Sequence, residues 1–139
     1  MSDFGFSTSA LRRCVLLSAV FLSVLCSPAV SAQSIDSVFV AVPERLLPLL
    51  DRNARLDLLD YADAGMEAKV TNRLNGTTQL TGKSDTLVTL RLTPVSQWSL
   101  RLVTDADGAV TYVVRQTYFL PEAYCREVRY DADWHALPE

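Results

Sequence analysis

The fold class that the sequence predicts is α+β: two N-terminal helices packed on an antiparallel β-meander of about five or six strands. Three observations predict it. Apolar residues recur at helical spacing up to Gly65 and alternate with period two beyond it, which marks a switch from helices to strands. Turn residues, such as Asp105-Ala106-Asp107-Gly108 and Pro121, then follow one another closely enough for hairpins rather than long crossovers. The chain of 139 residues, 49% hydrophobic and 21% charged, suits one core.

Residues 1–32 stand outside that fold. Arg12 and Arg13 precede the apolar stretch Cys14 to Cys26, interrupted only by Ser18 and Ser23, and Pro28 and Val30-Ser31-Ala32 follow. This is the layout of a secretory signal peptide. Thirteen helical residues reach roughly 20 Å, short of the roughly 30 Å hydrocarbon core of a bilayer. Cleavage after Ala32 is therefore expected, with no transmembrane span left and a periplasmic or extracellular address. Leu25 ahead of Cys26 argues against lipidation at that cysteine. The remaining single domain, 33–139, carries 11 basic and 15 acidic side chains. It keeps only Cys125, so no intramolecular disulfide can form.

Within the domain, Ile35, Val38, Phe39 and Val42 make the apolar stripe of a first helix, capped by Ser34 or Asp36 and ended by Pro43. Glu44 to Leu50 is leucine-rich, but Pro48 breaks any continuous helix there. Asn53 is the expected cap of a second helix, Ala54 to Ala64, with Leu56, Leu59 and Ala62 facing inward and Gly65 as its C-terminal stop. Ala68–Leu74 and Thr77–Thr81 can pair around Asn75-Gly76, although a two-residue turn there would place Leu80 on the face opposite Val70 and Leu74. Alternation then puts Val88, Leu90 and Leu92 on one face, as it does Trp98, Leu100 and Leu102, Val110, Tyr112 and Val114, and finally Val128 and Tyr130.

The opposite phase of those strands holds Arg91, Arg101, Arg115 and Arg129. A solvated face is the plainer reading of this row; the alternative is a surface for an anionic partner, since guanidinium groups on neighbouring strands can converge on carboxylates or phosphates. Other chemistry is thinly supplied. A net charge of -3 argues against nucleic acid as a partner. Five glycines and a single histidine leave no phosphate loop, nucleophile elbow or His-Glu helix motif. Asp131, Asp133 and His135 alternate and can meet a metal, but read as polar residues near a chain end. Asp57, Asp60, Asp63 and Glu67 form an acidic helix stripe expected to be solvated, and Asp105 to Gly108 lacks the closing Glu of a calcium loop. Cys125 reads as an inert strand residue. No cofactor, metal or catalytic residue is expected.

The run Ile35 to Pro43, followed by Leu46-Leu47-Pro48-Leu49-Leu50, Asn53 to Asp60 and Ala68-Lys69-Val70-Thr71-Asn72, resembles a family of uncharacterised secreted proteins from the Bacteroides group of Gram-negative anaerobes. The likeness continues to Tyr130, Trp134 and Leu137. It implies an envelope or secreted address, supplies no catalytic residues, and implies relatives with further strands beyond Trp134. The expected function is a non-enzymatic protein that binds another envelope protein or a surface polymer. The alternative is a small carboxylate-dependent hydrolase, which would need two carboxylates facing each other across a cleft. Oligomeric state is not legible.

Overall fold

A computed structural model describes residues 33–139; the expected signal segment lies outside the described residues. Ser34 caps α1 (Ile35–Ala41), its Oγ accepting from the Ser37 N–H at 3.2 Å. Ile35, Val38 and Phe39 are buried. Pro43 and Pro48 prevent a further helix, and residues 43–50 instead fold as successive tight turns, such as Leu46 N–H to Pro43 C=O at 3.0 Å and Leu47 N–H to Glu44 C=O at 3.2 Å. These turns drive Leu47 and Leu50 fully into the core.

The second helix, α2, spans Arg52–Asp63, and its cap is Asp51 rather than Asn53: the Asp51 carboxylate accepts from the Ala54 N–H at 2.8 Å. Its buried stripe is also shifted. Arg55, Leu58 and Leu59 are buried and Ala62 is half-buried, whereas Leu56 is 40% exposed. The stripe thus runs i, i+3, i+4, i+7 from an arginine. At the other end Met66 N–H bonds Tyr61 C=O and Gly65 N–H bonds Ala62 C=O, a Schellman arrangement with Gly65 at φ +70°. A Cβ at Gly65 would meet nothing within 4 Å. Gly65→Ala should therefore cost only the left-handed strain, about 1 kcal/mol, readable as a small shift in a urea melt.

Six antiparallel strands follow in chain order: β1 (Lys69–Thr71), β2 (Thr77–Lys83), β3 (Leu87–Thr93), β4 (Ser96–Thr104), β5 (Val110–Tyr118) and β6 (Tyr124–Tyr130). The first hairpin resolves the register conflict with a five-residue loop, because Thr71 pairs with Thr77 and Val70 with Thr78. Leu80 then shares the face of Val70, while Leu74 sits in the loop, 70% exposed. A bulge between Leu80 and Gly82 re-phases β2 against β3. Val88, Leu90, Trp98, Leu100, Tyr112, Val114 and Tyr130 form the sheet side of the core. No helix among the described residues is long and apolar enough to cross a membrane.

The expected arrangement of two N-terminal helices packed on the meander is corrected. The helices lie within the chain, at residues 35–63, and they cover only part of the sheet. α1 lies against β3 and β4 and α2 against β1 and β2, and no Cα of either comes within 8 Å of β5 or β6. The reason is width. Two helices about 10 Å across, side by side, shield roughly four strands at about 4.8 Å spacing. Over β5 and β6 the cover comes instead from the 43–50 turns and from a turn at 131–135. The latter buries Trp134 against Tyr112 and Tyr130, at ring centroid distances of 4.8 and 5.9 Å.

Candidate functional site

The face of the sheet away from the helices holds all four arginines singled out by alternation, but it brings only three of them together. Arg101 on β4 and Arg129 on β6 are both in register with Val113 on β5, which lies between them. At about 4.8 Å per strand their Cα atoms are roughly 10 Å apart. Arg115 stands two residues further along β5, opposite Ser99 on one side and Glu127 on the other. Val113 is only 8% exposed although no helix covers this face, as expected when long arginine stems lie over a small apolar residue. Arg91 belongs to a different row, between Gln79 and Gln97. Among the described residues, none of the four arginines has a carboxylate within 4.0 Å.

The row beside Arg115 contains a contact that the sequence reading missed. Arg115 donates from Nε to Cys125 Sγ at 2.9 Å, and Thr117 Oγ1 donates to the same sulfur at 3.7 Å. The hydrogen bond from Arg115, then that from Thr117, pulls the thiol below its ordinary pKa. Cys125 is thus an exposed thiol that accepts hydrogen bonds from Arg115 and Thr117. Only the β5–β6 register, pairing Thr117 with Cys125 and Arg115 with Glu127, brings these groups together.

Asp131, Asp133 and His135 come together more closely than an alternating strand would allow, because β6 ends at Tyr130 and the chain turns. One ligand atom from each lies within 4.8 Å of the others, the only such trio among the described residues. Asp131 Oδ1 accepts the backbone N–H groups of His135 and Asp133, both at 2.9 Å. Those bonds hold its carboxyl below the ordinary range, the His135 N–H first. The carboxylate is thereby committed to the turn that holds Trp134 at φ +62°. Trp134 in turn accepts from Arg45 Nη2 through its carbonyl at 2.6 Å.

The acidic stripe on α2 does not gather around one point. Asp63 binds Lys83 Nζ at 2.6 Å, Glu67 binds Lys69 at 2.6 Å, and Asp57 and Asp60 face solvent. Lys83 also binds Asp36 at 3.0 Å, in a cleft of about 610 Å³ between the start of α1 and the end of α2. Burial works against the ammonium, but hydrogen bonds to Asp63 and Asp36 outweigh it and raise its pKa. Of the three carboxylates lining this cleft, Asp36 and Asp63 are therefore clasped by a shared cation, while Asp85 makes no ion pair among the described residues.

A family model described as "Protein of unknown function (DUF3256)" matches residues 27–139. The chain belongs to this family. A solved domain of an uncharacterized protein from Porphyromonas gingivalis W83 is similar to this DUF3256 chain, with a TM-score of 0.59 and 23% identity. The match covers 73% of this chain and 52% of that one, so the chain spans about half the length of that domain, and the likeness is one of fold. No curated protein matches the DUF3256 chain.

Proposed function

We propose that this DUF3256 protein is a non-enzymatic binding protein, secreted or periplasmic, that engages an anionic envelope protein or surface polymer through Arg101, Arg115 and Arg129. The observation that carries this reading is the placement of three exposed arginines on adjacent strands of one sheet face, Arg101 and Arg129 flanking Val113 and Arg115 one row along, none with a carboxylate within 4.0 Å among the described residues. Arginine forks without a carboxylate partner of their own are suited to carboxylates or phosphates on another molecule. The hydrolase alternative finds less support, because two of the three carboxylates in the cleft between α1 and α2, Asp36 and Asp63, are bound to Lys83 and leave only Asp85 without an ion pair there. The charged, apolar and small-residue order of residues 1–32 supports the exported address.

The test is retention on an immobilised carboxylated polysaccharide such as polygalacturonate. The double variant Arg101→Ser and Arg115→Ser should bind roughly tenfold more weakly and lose much of its salt sensitivity, since exposed charge pairs are screened by salt. Its urea midpoint should match that of the parent chain, because both side chains are exposed. Equal retention of the two proteins would reduce the arginine row to a solvated face.

A further inference from the structure

We propose a second binding site on the opposite face of the sheet, where Arg45 and Arg126 hold a small oxyanion, a carboxylate or phosphate group. Because the helices stop over β4, the helix-side face of β5 and β6 is left with a cleft of about 170 Å³ between the 43–50 turns and the sheet. Leu46, Val114 and Val128 give it apolar walls, and Gln116, Arg45 and Arg126 supply the polar groups. Arg126 alternates in phase with Val128 and the buried Tyr130, so it is a cation on the core-facing side of β6, at the end where that row opens to solvent and Tyr124 is 58% exposed.

Arg45 and Arg126 are both exposed and line one partly apolar cleft, and neither has a carboxylate within 4.0 Å among the described residues. Glu44 is paired with Arg73 at 3.1 Å, and Asp131 is committed to the backbone of its own turn. Glu127 follows Arg126 on β6 and so belongs to the opposite face. Glu139, beside Arg126 in the adjoining cleft, is beyond 4.0 Å. The bond from Arg45 to the Trp134 carbonyl uses one of its five donors and fixes the side chain, so the site is partly preorganised while other N–H groups remain to bind.

Size and charge narrow the ligand. Drug-sized pockets begin at roughly 300 Å³, so this cleft suits a single anionic group rather than a large molecule. The chain's net charge of -3 gives no long-range attraction for anions, so recognition must come from the local arginine pair. Arginine forks match the paired oxygens of carboxylate and phosphate alike, which leaves the shared oxyanion chemistry as the assignment.

The test follows the arginine Nε–H signals of the full chain by NMR during titration with inorganic phosphate and, separately, with succinate at constant ionic strength. The Arg45 and Arg126 signals should shift saturably with at least one of the two, and the tighter one identifies the oxyanion. The signals of Arg101 and Arg115 should not saturate in the same range. Arg126→Gln should weaken binding at least tenfold, with Arg126→Lys between the two, because an ammonium keeps the charge but not the fork. Arg126 pairs with Gln116 through the backbone of the β5–β6 ladder, and its side chain makes no hydrogen bond among the described residues, so an unchanged unfolding curve would establish that the variant is folded. The proposal is overturned if neither anion shifts these signals saturably up to about 20 mM, a limit corresponding to very weak affinity, or if Arg126→Gln titrates like the parent.

Discussion

Replacing Arg55 by Met is expected to cost the fold about 3 to 5 kcal/mol, the range in which buried polar networks fail. Arg55 is 2% exposed, and its guanidinium donates to the carbonyls of Val40 at 3.2 Å, Leu50 at 3.1 Å, Leu47 at 3.5 Å and Val42. Those four carbonyls belong to the end of α1 and to the turns that Pro43 and Pro48 keep from becoming helical. Their oxygens cannot all find partners along the backbone, so a side chain from α2 provides the donors. Burial lowers the guanidinium pKa, opposed by the charges of Glu44 and Asp51, yet an arginine retains its proton at neutral pH. Methionine preserves much of the volume but leaves buried carbonyls without donors, each costing roughly 1 to 3 kcal/mol and not additively. Lysine should recover less than half of the loss, because one ammonium cannot reach carbonyls spread over residues 40–50. Urea denaturation monitored by tryptophan fluorescence reads the effect. A loss below about 1 kcal/mol for Met would show that these carbonyls reach solvent or other donors.

The same residue explains where reading the sequence ran out. Of the three residues expected inward on α2, Leu59 is buried and Ala62 half-buried, but Leu56 is 40% exposed, because Arg55 and Leu58 take the buried positions beside Leu59. A signal was present, since two prolines within six residues of leucine-rich chain imply orphan carbonyls that some donor must satisfy. Alternation performed better along the strands. Val88, Leu90, Trp98, Leu100, Tyr112 and Val114 are buried, and Arg91, Arg101, Arg115 and Arg129 are exposed, because a side-chain period of two admits only one core face. The grouping of three of those arginines around Val113, with Arg91 apart, depends on pairing register, which alternation within single strands does not contain. The Arg45 and Arg126 cleft depends further on where the helices stop, a matter of widths in three dimensions. Arg126 offered only the weak hint of a charge in an apolar phase.

Asn72→Ala should destabilise the chain by about 2 to 4 kcal/mol, since every polar atom of this 5%-exposed side chain is used. Its Oδ1 accepts from the Leu74 and Gly76 N–H groups at 3.0 and 3.1 Å, which shapes the loop between β1 and β2 and sets the five-residue connection. Its Nδ2 donates to Thr78 Oγ1 at 3.1 Å and to the Leu92 carbonyl at 3.2 Å, and Thr78 Oγ1 donates to that same carbonyl at 3.0 Å. Alanine therefore removes the acceptor for two loop N–H groups and a donor from a closed network beneath β2 and β3. Asn72→Asp separates the two halves. An aspartate keeps the acceptor for Leu74 and Gly76 but turns an oxygen toward the Leu92 carbonyl, so burial and that repulsion should raise its folded pKa above the unfolded value of about 3.9. The folded state then binds more protons than the unfolded one. Stability relative to wild type should be lowest above the folded pKa and improve as pH falls through it toward 3.9, where a protonated carboxyl can donate to Leu92. Urea midpoints at several pH values measure this recovery. A pH-independent deficit in Asn72→Asp would mean that the Nδ2 bonds contribute little and that the loop N–H groups account for the whole loss in Asn72→Ala.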